Sequence, residues 1–257
     1  KGPFVISINN FKLNVFPQKT EPTCSILKRL KFHEFSELNL IENFISKNRK
    51  ISFIDAGANY GHYSLFVASQ STENKVFSFE PSAVSRQQII KNKDLNFLNN
   101  IKIEKFAISN SNSVIDFYES QYSWESSAII NYVNKPQKIQ VPTITLDHYF
   151  ENKKFDLNNL FVKLDVEGLE INALYGAKNL INKFKPVIQL EFSKMLVENK
   201  LFKIDQLNNF LDQQNYLIYD FQNNKQNLSN LCQQVTTLKS KFKTIGNFIL
   251  LYKKINF

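Results

Sequence analysis

Glycine is scarce in this chain, with only six among 257 residues. Four of them, Gly57, Gly61, Gly168 and Gly176, fall in two short segments that also carry acids. A sequence so sparing of glycine keeps it where the backbone must turn sharply or approach something closely. Cysteine is scarcer still. Cys24 and Cys232 are too few and too scattered for a disulfide framework or a zinc site, so a reducing cytoplasm is the expected setting. No apolar run approaches the roughly 18 residues of a membrane helix, and no secretory leader is visible. The chain opens on Lys1 rather than methionine, which gives the expectation of a sequence trimmed, or cut from something longer. Internal repeats and long linkers are absent, so one domain over 1–257 is expected, with an N-terminal extension (1–48) ahead of an α/β core (49–257). There is no acidic excess. The net charge of +9 comes from scattered lysines, densest at Lys239, Lys241, Lys243, Lys253 and Lys254. That cluster could draw an anionic partner; the plainer reading is solvation of a chain rich in Phe, Ile and Asn.

The most informative stretch is Ile51-Ser-Phe-Ile-Asp-Ala-Gly-Ala-Asn-Tyr-Gly61. It reads as a buried strand that ends on an acid, Asp55, and breaks into a turn bracketed by glycines. A second strand, Val76-Phe-Ser-Phe-Glu-Pro81, ends on another acid, Glu80, about twenty residues on, which is the first βαβ unit of a nucleotide-type cofactor site. A dinucleotide fingerprint would read G-x-G-x-x-G, whereas Asn59 stands here where a second glycine would. Asparagine is among the few other residues that visit the left-handed region, so the turn still forms. The alternative is a strand–turn–helix with no ligand.

Around this unit the pattern is α/β. Residues 4–16 alternate about Asn9-Asn10 as a hairpin, and Phe35, Leu38, Ile41, Phe44 and Ile45 keep helical spacing. This N-terminal piece is expected to pack over the open side of the cofactor site. The spacing predicts strands at 51–55, 76–80, 101–107, 160–165, 187–192, 216–220 and 247–252. Helices are predicted at 61–70, 83–94, 169–181 and 203–214, with a short one over Leu228, Leu231 and Leu238. The last two strands should pair as an antiparallel finish. Residues 110–150 interrupt the alternation with two short strands, 114–118 and 138–141, and a loop at Ser123–Ser127. An insertion before the fourth strand lies near the carboxyl edge of the sheet, where substrate contacts are made.

The second segment is Leu160-Phe-Val-Lys-Leu-Asp-Val-Glu-Gly-Leu-Glu170. Central parallel strands are apolar throughout, so Lys163 is anomalous and needs a carboxylate neighbour or an opening to the site. Strand alternation puts Lys163 and Asp165 on one face. Asp165, Glu167 and Glu170 crowd into one turn and repel one another unless a cation, a proton or a polarised ligand compensates. Glu170 stands at a helix start, where a carboxylate is favoured by the helix dipole, so its reading is structural. Asp165 and Glu167 read as functional. Glu191 ends the next strand and can face the same cleft. His62 follows the glycine loop on the first turn of its helix, where it is equally well a site residue or a capping one.

Taken in order, Asp55-Ala-Gly-Ala-Asn-Tyr-Gly61, Phe79-Glu80-Pro81, Thr145-Leu146-Asp147, Val162-Lys-Leu-Asp-Val-Glu-Gly-Leu-Glu170 and Pro186 with Glu191 resemble FkbM-type S-adenosylmethionine (SAM)-dependent methyltransferases, from about Phe35 to Phe192. The resemblance implies a Rossmann-like, seven-stranded class I methyltransferase sheet, mostly parallel with the last strand antiparallel. It implies SAM as cofactor, held by Asp55, Gly57, Asn59, Tyr60 and Gly61, with Glu80 accepting the ribose hydroxyls. Ala107 and Ile108 would lie beside the adenine, although Ser109-Asn110 places no acid there for the adenine amino group. The implied reaction is O-methylation of a sugar, glycan or polyketide-type hydroxyl. A hydroxyl is a poor acid, so a general base or a divalent metal such as magnesium or manganese is needed. Asp165, Glu167, Glu191 and His62 are the candidates. A nucleic-acid methyltransferase suits the basic charge, but no Asn-Pro-Pro-Tyr motif occurs and neither cysteine ends a strand. A non-catalytic binding module is the remaining alternative. The acceptor, the metal and the oligomeric state stay open at this level.

Overall fold

The computed structural model describes residues 4–8, 11–15, 35–119, 127, 136–151, 155, 157, 159–193, 204–237 and 244–253. The Asn9-Asn10 turn, Cys24, His33, most of the Ser123–Ser127 loop, Leu238 and the lysines 239, 241, 243 and 254 lie outside these residues. Five parallel strands form the centre of the main sheet: β3 (Ser52–Ala56), β4 (Lys75–Phe79), β5 (Ile101–Glu104), β9 (Leu160–Leu164) and β10 (Val187–Ser193). β13 (Thr244–Tyr252) pairs antiparallel with β10, and β11 (Tyr216–Tyr219) pairs antiparallel with β13. The full order is β12-β11-β13-β10-β9-β3-β4-β5, the seven expected strands plus the two-residue β12 (Lys225–Gln226) at one edge.

Every residue of β3 and β9 is buried, as parallel strands covered on both faces require. On one face, Phe53, Phe161, Val187, Ile249 and Leu251 pack under α1 (Phe35–Ser46) and α2 (His62–Gln70). On the other, Ile54, Val162, Ile188 and Leu250 pack with α4 (Leu146–Glu151), α5 (Glu170–Tyr175), α6 (Lys178–Phe184), α7 (Ile204–Gln214) and α8 (Leu228–Thr237). From β3 the chain proceeds through α2, β4, α3 (Ala83–Leu95) and β5 in one direction, then returns to place β9 on the other side of β3. The strand order therefore reverses between β3 and β9, and open α/β sheets bind ligands outside the carboxyl ends at such a point.

Three expectations need correction. The predicted strand 101–107 ends at Glu104, and Ala107–Ile108 (β6) pairs instead with β8 (Gln137–Ile144). Together with β7 (Val114–Glu119), which pairs antiparallel with β8, this makes a separate three-stranded sheet. The predicted helix 169–181 is two helices. Asp147 accepts the Asn179 and Leu180 amides at 2.9 and 2.8 Å and so caps α6 as a new start, while its own amide donates to Gly176 O at 2.9 Å. Lastly, the N-terminal hairpin of β1 (Phe4–Ile8) and β2 (Phe11–Val15) does not lie over the open side of the site. Asn14 N donates to Asn92 Oδ1 at 2.8 Å and Lys12 N to Asn96 Oδ1 at 2.6 Å. These asparagines fix β2 to the C-terminal end of α3, at the amino ends of the strands. Among the described residues of the extension, α1 is the element that reaches the carboxyl end, where Asn247 Nδ2 donates to Glu37 Oε1 at 3.5 Å.

Gly176 has an ordinary helical φ of −74°, yet a Cβ there would meet Ser109 O at 2.0 Å. Close approach alone therefore demands glycine. Gly176→Ala is expected to cost about 2–4 kcal/mol in a urea titration, the scale of an overpacked core contact.

Candidate active site

The loop after β3 alternates in handedness. Gly57, Asn59 and Gly61 have φ of 80°, 50° and 77°, so every second residue is left-handed. The turn folds back on β4, with the Gly57 and Ala58 amides both donating to Phe79 O at 3.0 Å. A Cβ at Gly57 would lie 1.8 Å from Asp165 O, so the loop touches the end of β9 through a surface only glycine leaves free. Glu80 closes the loop from the next strand. Its Oε2 accepts the Asn59 amide and its Oε1 the Ser82 amide, each at 2.8 Å. Burial pushes this carboxyl up to about 7, outweighing the two amide bonds that favour the ionised form. Asn59 Oδ1 is buried with no partner among the described residues, and Tyr60 is half-buried beside it.

Beneath the loop a polar row crosses the sheet. Ser78, Asp55, Lys163 and Gln189 are neighbours in register on β4, β3, β9 and β10, and none is more than 2% exposed. Lys163 Nζ donates to Asp165 Oδ2 at 2.8 Å and lies 4.0 Å from Asp55 Oδ1 and 4.8 Å above the Tyr63 ring. The lysine that looked anomalous in an apolar strand thus has two carboxylates and an aromatic face. Ser64 of α2 donates to Asp55 Oδ2 at 2.6 Å and pairs with Ser78. Asp55 accordingly anchors the helix after the loop, from below the cofactor turn.

Asp165, Glu167 and Glu191 converge at the rim of this row. One carboxylate oxygen from each lies within 4.8 Å of the other two. Burial and the neighbouring Asp165 charge push the Glu167 and Glu191 carboxyls well above the ordinary range. Glu167 has φ 49° and is followed by Gly168 at 110°, a left-handed pair that turns the chain at the mouth of the sheet. Ser127, from the insertion, donates to Glu167 O at 2.8 Å. Glu170 is buried and accepts the Val166 amide at 3.0 Å and the Gly168 amide at 3.2 Å, which makes it the clamp of this turn. His62 begins α2 with its ring 4.5 Å from that of Tyr63 and stands outside the convergent group. Ala107 and Ile108 are buried in β6, directly before the buried Ser109.

Several groups at this site were not singled out in the sequence. Ser64, Tyr63 and Ser127 carry no local signal, since each comes from a helix or an insertion folded onto the strands. Gln189 and Asn247 did leave one, as single polar interruptions of apolar strands.

A glycine-rich turn at a strand-order reversal, with an acid ending the next strand, defines a cofactor-binding α/β protein. The Methyltransferase FkbM domain family model matches residues 55–218, more than half of the chain. The chain belongs to that family of SAM-dependent methyltransferases. Among solved structures, the methyltransferase FkbM of Methylobacillus flagellatus KT is 16% identical, with a TM-score of 0.47, over 79% of this chain and 44% of that one. The chain thus spans less than half the length of that protein. M. jannaschii TYW2 in complex with AdoMet is 10% identical over 98% and 84% of the two chains, with a TM-score of 0.43. An rRNA methylase from Streptococcus thermophilus is 12% identical over 82% and 92%, also with a TM-score of 0.43. No curated protein matches the sequence. The residues present fit SAM: the left-handed turn has no side chain at Gly57 or Gly61, Asn59 Oδ1 is an orphaned buried acceptor, and Glu80 offers a carboxylate at the rim.

Lys163→Met leaves Asp55 and Asp165 facing each other without their shared cation. It is expected to cost about 3–5 kcal/mol in chemical denaturation, the cost of breaking a buried ion pair from one side. A loss under 1 kcal/mol would show the ammonium to be dispensable.

Proposed function

We propose that this chain is an O-methyltransferase acting on a hydroxyl of a carbohydrate or similar polyol, with residues 1–48 and 49–257 working as one catalytic unit. The observation that carries the reading is the convergence of Asp165, Glu167 and Glu191 beside the Gly57 turn. When bound, SAM supplies a sulfonium methyl whose S–C bond breaks as the acceptor O–C bond forms. Asp55, Gly57, Asn59, Tyr60 and Gly61 build the turn that holds it, Glu80 accepts two ribose hydroxyls, and Ala107 and Ile108 border the adenine. The acceptor proton goes to a carboxylate of the convergent group. Lys163 occupies Asp165 Oδ2, which leaves Glu167 and Glu191 as the freer oxygens, with His62 at the start of α2 the remaining candidate base. A divalent ion such as magnesium or manganese is the other way to activate the hydroxyl.

Acceptor chemistry follows from the same groups. A carboxyl group offers acceptor oxygens in either protonation state, so a mouth lined by three of them suits a ligand rich in hydroxyl donors. The positive net charge would suit a nucleic acid, but these acids would face its phosphates. No described helix is long and apolar enough to cross a membrane, and with so little cysteine we place the enzyme in the cytoplasm.

Two experiments test this. Calorimetry with S-adenosylhomocysteine should give binding that Glu80→Ala weakens by about 10–100-fold, as expected for losing charge-assisted hydrogen bonds. Ribose hydroxyls bind the ionised carboxylate. Affinity should therefore be full above about 7 and fall as pH drops through that value. Unchanged affinity in the variant would remove Glu80 from the ribose. Methyl transfer from labelled SAM to a carbohydrate panel, run beside RNA and DNA, tests the acceptor. Glu191→Gln should lower kcat by about 10²–10⁴ with little change in melting temperature. Label appearing in nucleic acid alone would reject the polyol reading.

A further inference from the structure

We infer that Asp165, Glu167 and Glu191 bind one divalent cation of the magnesium or manganese class, with Asn247 Oδ1 as a fourth oxygen. The inference rests on the acceptor site proposed above and assigns its ligand. The three side chains come from the ends of two adjacent parallel strands and the turn that follows one of them, and one oxygen from each lies within 4.8 Å of the others. An octahedral ion with oxygens at about 2.1 Å spans ligand pairs of about 3–4 Å, so modest side-chain rotation closes the triangle.

Charge asks for the same thing. Lys163 is the cation facing the cluster within the described residues; its 2.8 Å bond goes to Asp165 Oδ2, and Asp55 Oδ1 lies 4.0 Å from the same nitrogen. Three acids therefore share a single ammonium that is itself divided between two aspartates.

Asn247 supplies an independent observation. β13 pairs antiparallel with β10 so that Asn247 stands directly opposite Glu191, which puts both side chains on the same face of the sheet, with Cβ atoms about 5 Å apart. The Asn247 nitrogen is committed to Glu37 Oε1, a group that only accepts, and this fixes which way the amide is turned. Its Oδ1 is then a carbonyl-type oxygen, buried and without a partner among the described residues, at a residue 8% exposed. A buried carbonyl oxygen beside a carboxylate is repelled unless something positive lies between them. The donor set is oxygen throughout, which favours magnesium or manganese over zinc.

Four protein oxygens leave two positions of an octahedron open. They would take two oxygens of the acceptor, and vicinal hydroxyls on a sugar or polyol ring have the right bite. The hydroxyl, acidified by the ion, would pass its proton to the second carboxylate oxygen of Glu167 or Glu191, and its oxygen would bond to the methyl carbon as the S–C bond of SAM breaks to leave S-adenosylhomocysteine.

The test needs no acceptor. Free Mn²⁺ is followed by electron paramagnetic resonance as the purified full chain is titrated, with and without saturating S-adenosylhomocysteine. The expected result is one Mn²⁺ per chain, displaced by excess Mg²⁺. Glu191→Gln and Glu167→Gln should each weaken binding by about 100-fold and Asn247→Ala by about 10-fold. Glu73→Gln, at an exposed acid paired with Arg49 at the amino ends of the strands, should bind as the parent does. S-adenosylhomocysteine binding, measured in every variant, reports that the protein is folded. Loss of Mn²⁺ affinity with that binding intact supports the site. No depletion of free Mn²⁺, or depletion indifferent to Glu191 and Glu167, overturns it and leaves the methyltransferase reading standing. Failure of S-adenosylhomocysteine to bind the parent would instead count against the proposed function, whatever the metal does.

Discussion

A buried ammonium sets the geometry of this site. Lys163 stands in the central strand β9, where an uncompensated charge would cost several kcal/mol, and it is held by Asp165 at 2.8 Å and Asp55 at 4.0 Å. Those aspartates belong to different elements with different tasks. Asp55, next to the last residue of β3, holds Ser64 of the helix after the glycine turn, whereas Asp165 directly follows β9 and opens the acidic rim. One side chain therefore ties the glycine turn after β3 to the acidic rim after β9, at the point where the strand order reverses.

The same junction is tightened from above by an absence. Gly57 has no Cβ, and the space it leaves is filled by Asp165 O. Below it an ion pair pulls β3 and β9 together, and above it two backbones meet without side chains between them. The turn on β3 and the acids on β9 cannot shift independently. That rigidity keeps the glycine turn and the acidic rim at a fixed separation.

Around this rigid centre the acids are divided by environment more than by residue type. Glu170 is consumed by the Val166 and Gly168 amides and shapes the turn, while Glu167, immediately before Gly168, is carried to the mouth by its left-handed backbone. Glu80 is buried like Glu170 but lies at the rim of the cofactor turn, with the Asn59 and Ser82 amides holding it in place. Ser127 reaches in from the insertion to the Glu167 carbonyl, so the segment before β9 takes part in setting the mouth.

Much of this was legible in the residues. The left-handed demand at 57, 59 and 61, the acid ending each of four strands, and the need of Lys163 for a carboxylate are local or period-two properties, written directly in spacing and residue type. The break of the helix at Gly176 was not, because it depends on Asp147 arriving from a distant segment to cap a second start and on Ser109 O occupying the space of a Cβ. The docking of the hairpin on α3 through Asn92 and Asn96 was likewise invisible, since polar side chains on a helix surface look the same whether they meet water or another backbone. The sequence by itself determined the strand-and-turn chemistry of the cofactor loop and the family, because dihedral preference and burial period act between near neighbours. Only the tertiary structure decided which acids converge, which one clamps a turn, and that Asn247 stands opposite Glu191. Those facts depend on strand order and register, and long-range pairing leaves no trace in local spacing.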